Sequence, residues 1–359
     1  MRKGAVLLLL LSVMLTAGAQ QYTISATGGW TLPFAPPQDY TKCPTGGVDF
    51  TVAWPTVHTQ GHRDTYLIGL KANFTAIPQG VAGHRIGLGG FATTPMSFIN
   101  RSIAPCDLSL QLGTGLGLYT RPKEFTHDER NDFLGSFVNC VIDFGPVFTV
   151  PFRNGSALQL AAKFVHNSNG YLKKPNQGLN YVQGELGFRL APCGTRRGGI
   201  CDTLRHGGEH DARTAPFITV ASGFSVPRHW AAQNNEFYPA YTVQAGWRYA
   251  YQPCRSIGAT IDACYNFADD YECHITDTPS PLPVFVGVTA QHETHWGPVS
   301  LRLGLGYYLY QSFPDGKIYE RVGLFYHFDK NLHHAVGLAI KANSVHADYI
   351  EWSWTADLF

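Results

Sequence analysis

Hydropathy along this chain repeats every second residue, in segment after segment of about ten residues. From Asp107 to Tyr119, Leu108, Leu110, Leu112, Leu116 and Leu118 share one face, and Ser109, Gln111, Gly113, Gly115 and Gly117 share the other. The same alternation runs from Ser156 to Ser168, from Leu179 to Leu190, from Ser300 to Tyr310 and from His334 to Asn343. Successive side chains of a β-strand point to opposite faces, so each segment makes a strand with one apolar and one polar face. Two architectures use such strands. A soluble sandwich turns the apolar face inward; a transmembrane barrel turns it outward to lipid. The broad apolar faces, the glycines on the opposite faces and the aromatic end at Trp352, Trp354 and Phe359 favour the barrel. The expectation is an all-β, antiparallel transmembrane β-barrel of about 14 strands, within a range of about 12–16.

Composition agrees. Lys and Arg number 27 against 26 Asp and Glu, which excludes a nucleic-acid binder held by bulk charge. Charged residues are 15% of the chain, against roughly 25% in soluble domains. Beyond the leader, no apolar run approaches the ~18 residues of a spanning helix, so a membrane crossing needs strands.

Residues 1–19 read as a secretory signal, with Arg2 and Lys3 ahead of an apolar core and Ala17-Gly18-Ala19 as the cleavage site. Residues 20–63 are rich in Pro and Gly and alternate poorly; they are expected to be an N-terminal extension, a plug or two more strands. Residues 64–359 are expected to form the barrel. Short links at Asp329–Asn331, Gly297-Pro298 and Arg153–Gly155 alternate with long ones at Gln311–Lys317, Pro227–Pro239, His166–Gly178 and Arg121–Gly135. Short links belong at the periplasmic end and long ones outside. Ala191–Pro216 breaks this rule, a long insertion on the short-link side that carries Cys193 and Cys201. Of the eight cysteines, Cys193–Cys201 and Cys264–Cys273 are the expected local disulfides.

The stretch His166 to Asn180 carries the chemistry. His166 and Ser168 lie two apart and continue the even-numbered apolar series Leu158, Leu160, Ala162 and Phe164, so they should face lipid. Asn180 continues the even series of the next strand. Polar groups on a greasy face are costly without a partner or a task. A hairpin through 169–179 would bring the three together at the outer rim. A serine needs a base to become a nucleophile, and that base needs a third group to fix its tautomer. The alternative for these residues is solvated interfacial side chains.

His166-Asn167-Ser168-Asn169-Gly170, followed by Lys173-Lys174-Pro175-Asn176-Gln177-Gly178, resembles the signature of the lipid A 3-O-deacylase (PagL) family of outer-membrane barrels. Segments 112–122, 319–328 and 346–352 are similar to longer acyloxyacyl hydrolase-like members of Bacteroidetes. The resemblance implies Ser168 as nucleophile, His166 as general base, Asn180 as third member, and Asn169 with Gly170 at the oxyanion. It implies a bacterial outer-membrane esterase, embedded in the membrane and acting on lipid A of lipopolysaccharide in the outer leaflet. Where the family has Glu, this chain has Asn180, which can orient an imidazole but cannot balance its charge. Lys173 and Lys174 are candidates for lipopolysaccharide phosphates. A barrel without catalysis, a narrow pore or a structural protein, is the alternative. No cofactor is expected. His292-Glu293-Thr294-His295 lacks the spacing of a helical HExxH site, which argues against metal binding there.

Overall fold

A computed structural model describes residues 21–32, 43–58, 65–78, 82–128, 130–170, 173–190, 214–227, 236–252, 255–277, 284–296, 298–312, 316–329, 333–343 and 346–358. The expected signal at 1–19 and the Cys193–Cys201 pair lie outside these residues. Sixteen antiparallel strands, β1 to β16, make up most of the described chain. The all-β barrel architecture therefore holds, but the strands close into two cylinders of eight, β1–β8 and β9–β16, rather than one.

The first barrel runs through β1 (Gln21–Leu32), β2 (Pro44–His58), β3 (Thr65–Ala76), β4 (Arg85–Pro95), β5 (Asp107–Tyr119), β6 (Val138–Pro151), β7 (Ala157–Ser168) and β8 (Leu179–Arg189). Two short helices, α1 (Ser97–Ile103) and α2 (Lys123–Thr126), sit in its links. It closes where β1 pairs with β8, Ile24 opposite Phe188 and Trp30 opposite Val182. Much of 20–63 is therefore barrel wall, not plug or extension. The segment hid because its faces contrast weakly. In β1, buried Thr23, Ser25 and Thr27 alternate with Ile24, Ala26 and Gly28, so that mostly small groups lie on both sides. In β2, Gly46, Gly47 and a register shift at Pro55 blur the period further.

The second barrel runs through β9 (Thr214–Ser225), β10 (Tyr238–Gln252), β11 (Arg255–Asn266), β12 (Val284–Trp296), β13 (Val299–Gln311), β14 (Ile318–His327), β15 (His334–Asn343) and β16 (His346–Asp357), with α3 (Phe267–Ile275) between β11 and β12. β16 returns to pair with β9. Of the insertion expected at 191–216, Thr214–Pro216 belong to β9, and 191–213 lie outside the described residues.

In each barrel the usual arrangement of a soluble core is inverted. Charged and polar side chains fill the lumen, and large apolar ones face out: Leu186 is 54% exposed and Leu305 59%, while Arg85 and Lys341 are buried. A sandwich cannot do this; a barrel in lipid must. In the first lumen Lys71 Nζ meets Asp143 Oδ2 at 2.5 Å and Lys163 Nζ meets Glu185 Oε2 at 2.7 Å. Gln183 donates to the other oxygen of Glu185. Arg85 donates to Asn73, Thr75 and Asn167. In the second lumen Lys341 Nζ sits 2.5 Å from Asp348 Oδ2 and 4.5 Å from the Phe285 ring centre.

Cys264 and Cys273 are not joined by a disulfide. Cys264 points into the lumen, its Sγ 3.0 Å from the Tyr349 hydroxyl, and Cys273 lies in α3. Nearness along the chain misled, because a strand face and a helix face send the two side chains to different places.

Candidate functional site

β7 and β8 position the site. They pair with His166 opposite Asn180 and Asn167 opposite Leu179. Asn167 points inward, where its Oδ1 accepts from Arg85 and its Nδ2 donates to the Leu179 carbonyl. Its neighbours His166 and Ser168 must then point out, in phase with exposed Leu160. The lipid-facing phase places them at the end of β7 that leads into a long link.

There the three predicted side chains meet. His166 Nδ1 is 2.7 Å from Asn180 Oδ1, and His166 Nε2 is 3.1 Å from Ser168 Oγ. The amide carbonyl can only accept, so Nδ1 carries the proton and Nε2 offers its lone pair to the serine hydroxyl. With the Asn180 amide reversed, its NH2 would donate to Nδ1. The proton would then sit on Nε2, which could no longer accept from Ser168. The tautomer of His166 thus hangs on the orientation of one amide.

Ser168 and Asn180 are buried in spite of their outward phase. Asn176 to Gly178, ahead of β8, fold back over them. Asn169 donates its backbone N–H to Asn176 Oδ1 at 2.9 Å and its side-chain Nδ2 to Ser136 Oγ at 3.1 Å. Gly178, at φ +78°, lies so close that a Cβ there would sit 2.8 Å from His166 Cε1. The segment 130–137 backs the link: Gln177 and Gly178 donate backbone N–H groups to the carbonyls of Asp132 and Phe133. Asn131 Oδ1 in turn accepts from Phe133 and Leu134. Ser136 carried no motif signal, since it belongs to a different link and meets Asn169 only through the fold. Gly170 has φ +65°. Lys173 is exposed and Lys174 half-buried.

Residues 29–189 match the lipid A 3-O-deacylase (PagL) family, and residues 216–355 match the acyloxyacyl hydrolase C-terminal domain. The two matches coincide with the two barrels. The first barrel is that of the lipid A 3-O-deacylase family, and the second that of the acyloxyacyl hydrolase C-terminal domain. With lipid-facing apolar side chains on both barrels and this family match, the chain is an outer-membrane barrel protein. Among solved structures, the crystal structure of the outer membrane enzyme PagL is 18% identical, covers 48% of this chain and 99% of its own, and gives a TM-score of 0.34. Mutants of the Rhodopseudomonas blastica porin are 8% identical, cover 94% of this chain and 99% of their own, and give TM-scores near 0.20. No curated protein matches the chain.

Proposed function

We propose that this protein hydrolyses an ester-linked acyl chain of lipid A, with Ser168 as nucleophile, His166 as general base and Asn180 as the residue that orients the base. The observation that carries the reading is the unbroken relay from Ser168 Oγ through both ring nitrogens of His166 to Asn180 Oδ1, on the outward phase of the wall. Its substrate is a lipid, and a site reached from the side of the barrel suits a molecule whose acyl chains already lie in the bilayer.

In the first half-reaction His166 Nε2 takes the Ser168 proton as Oγ attacks the ester carbonyl. The tetrahedral oxyanion is met by Asn169 and Gly170. For Asn169 this requires its backbone N–H to exchange Asn176 for the oxyanion. Collapse expels the sugar alkoxide, which collects the proton from the imidazolium. Water then attacks the acyl-serine by the same route and frees the fatty acid. Lys173 and Lys174, in the same link, meet phosphates of the lipopolysaccharide head group.

Asn180 makes this a slower device than one with a carboxylate. A neutral amide fixes the tautomer but leaves the imidazolium without charge compensation; the acid-to-amide change that lowered one protease by about 10⁴ in kcat also set the wrong tautomer, so that figure is an upper bound here. Mass spectrometry of lipid A from cells expressing the wild type and Ser168→Ala tests the proposal. Loss of one ester-linked chain in the first strain only is the expected outcome. Unchanged lipid A in the wild type and in an Asn180→Glu variant would leave a barrel without this activity.

A further inference from the structure

Among the described residues of the second barrel, three side chains that can ligate a metal converge in the lumen: Glu293, His295 and His327, their ligand atoms all within 4.8 Å of one another. We propose that they form a binding site for a divalent transition-metal ion of the zinc type.

The fold assembles the group from two strands that are not paired with each other. Glu293 and His295 are two apart on β12, hence on one face, and odd positions of this strand point inward. β13 lies between, with Ser300 opposite His295 and Arg302 opposite Glu293. β14 supplies His327 from the far side, its backbone N–H tied to the Pro298 carbonyl. A helical HExxH motif needs three residues between its histidines because a helix turns in 3.6; a strand needs one between ligands on the same face. The sequence His-Glu-Thr-His lacks the helical spacing and has the strand spacing, with its third ligand 32 residues further on.

The distances fit an ion better than direct hydrogen bonds. Glu293 Oε1 is 3.5 Å from His327 Nε2 and 3.9 Å from His295 Nε2. These are long for hydrogen bonds. They are close to the edge of a tetrahedron, about 3.4 Å for ligand bonds of about 2.1 Å. Two imidazoles and one carboxylate are three ligands; Ser300 Oγ, 2.6 Å from Glu293 Oε1 and 3.0 Å from His327 Nε2, hydrogen-bonds to two of them.

Electrostatics narrows the choice of ion. Arg248 Nη1 lies 3.0 Å and Arg302 Nη2 3.4 Å from Glu293 Oε2. Arg248 also pairs with Asp357 at 2.7 Å. The two acids and two arginines cancel, so charge attraction alone does not hold a cation here. Binding rests on the two imidazole nitrogens, which selects zinc-like ions over calcium or magnesium. The ion would clip β12 to β14 across β13 at the short-link end of the barrel, where the side chain of His295 is 12% exposed and opens the site.

The test is a Co²⁺ titration of the full chain, chelator-stripped and folded in detergent, followed by visible absorption and then Zn²⁺ competition. One equivalent of Co²⁺ with a four-coordinate spectrum is expected, displaced by Zn²⁺ but not by Ca²⁺ or Mg²⁺. His295→Ala and His327→Ala should each weaken binding by at least about tenfold, and Ser168→Ala should not. Heat-modifiable migration reports folding of each variant; if His327→Ala does not fold, His295→Ala at the lumen mouth decides. No Co²⁺ uptake by the wild type, unchanged affinity in a folded histidine variant, or displacement by Ca²⁺ would each overturn the proposal.

Discussion

His166 Nδ1 and Asn180 Oδ1 lie 2.7 Å apart across the β7–β8 pair, and this one contact decides which ring nitrogen faces Ser168. Replacing the amide by a carboxylate keeps the acceptor and adds charge. Asn180→Glu is therefore expected to speed lipid A deacylation, by a factor between about ten and about 10⁴, while Asn180→Leu slows it. Product release from purified lipid A, timed by mass spectrometry, measures both.

Ser168→Ala removes the attacking oxygen and leaves the β7–β8 pairing untouched. Deacylation should fall by about 10³-fold or more, with the heat-modifiable band shift of a folded barrel retained. A variant that keeps even a tenth of the wild-type rate would remove Ser168 from the reaction.

Gly178→Ala tests how tightly the site is packed. A Cβ there meets His166 Cε1 at 2.8 Å, and φ +78° is a conformation that costs a side chain about 1–2 kcal/mol. The ring must move off Ser168 or the link must lift. The expected result is a large loss of turnover with little change in unfolding midpoint, read from kinetics and denaturant titration side by side.

Lys163→Met leaves Glu185 charged in the lumen without its ion-pair partner, the Gln183 amide still donating to it. Breaking a buried pair from one side costs about 3–5 kcal/mol. The double variant Lys163→Met/Glu185→Leu should recover much of that loss. Guanidinium unfolding in detergent gives the comparison.

Peptide mapping after alkylation without reduction should find no bridge between Cys264 and Cys273, because the first lines the lumen and the second sits in α3. A disulfide-linked peptide containing both would contradict the placement of α3.

Period-two alternation was enough to make β5, β7, β8, β13 and β15 strands and to turn their apolar faces to lipid. It also put His166, Ser168 and Asn180 on one side, since parity along a strand is a local property of the backbone. The His-x-Ser spacing and the family resemblance supplied their roles. Parity said nothing about which strand edges meet. Whether β8 hydrogen-bonds to β1 or carries on to β9 is a choice between edges far apart in the chain, and weak contrast in β1 and β2 concealed the partner that closes the first barrel. The same limit hid Ser136 behind Asn169 and His327 beside Glu293 and His295. Alternation and motif spacing are written between near neighbours. Barrel closure, and every contact that crosses a strand, exists only once hydrogen-bonded edges have brought distant segments to within a few ångströms.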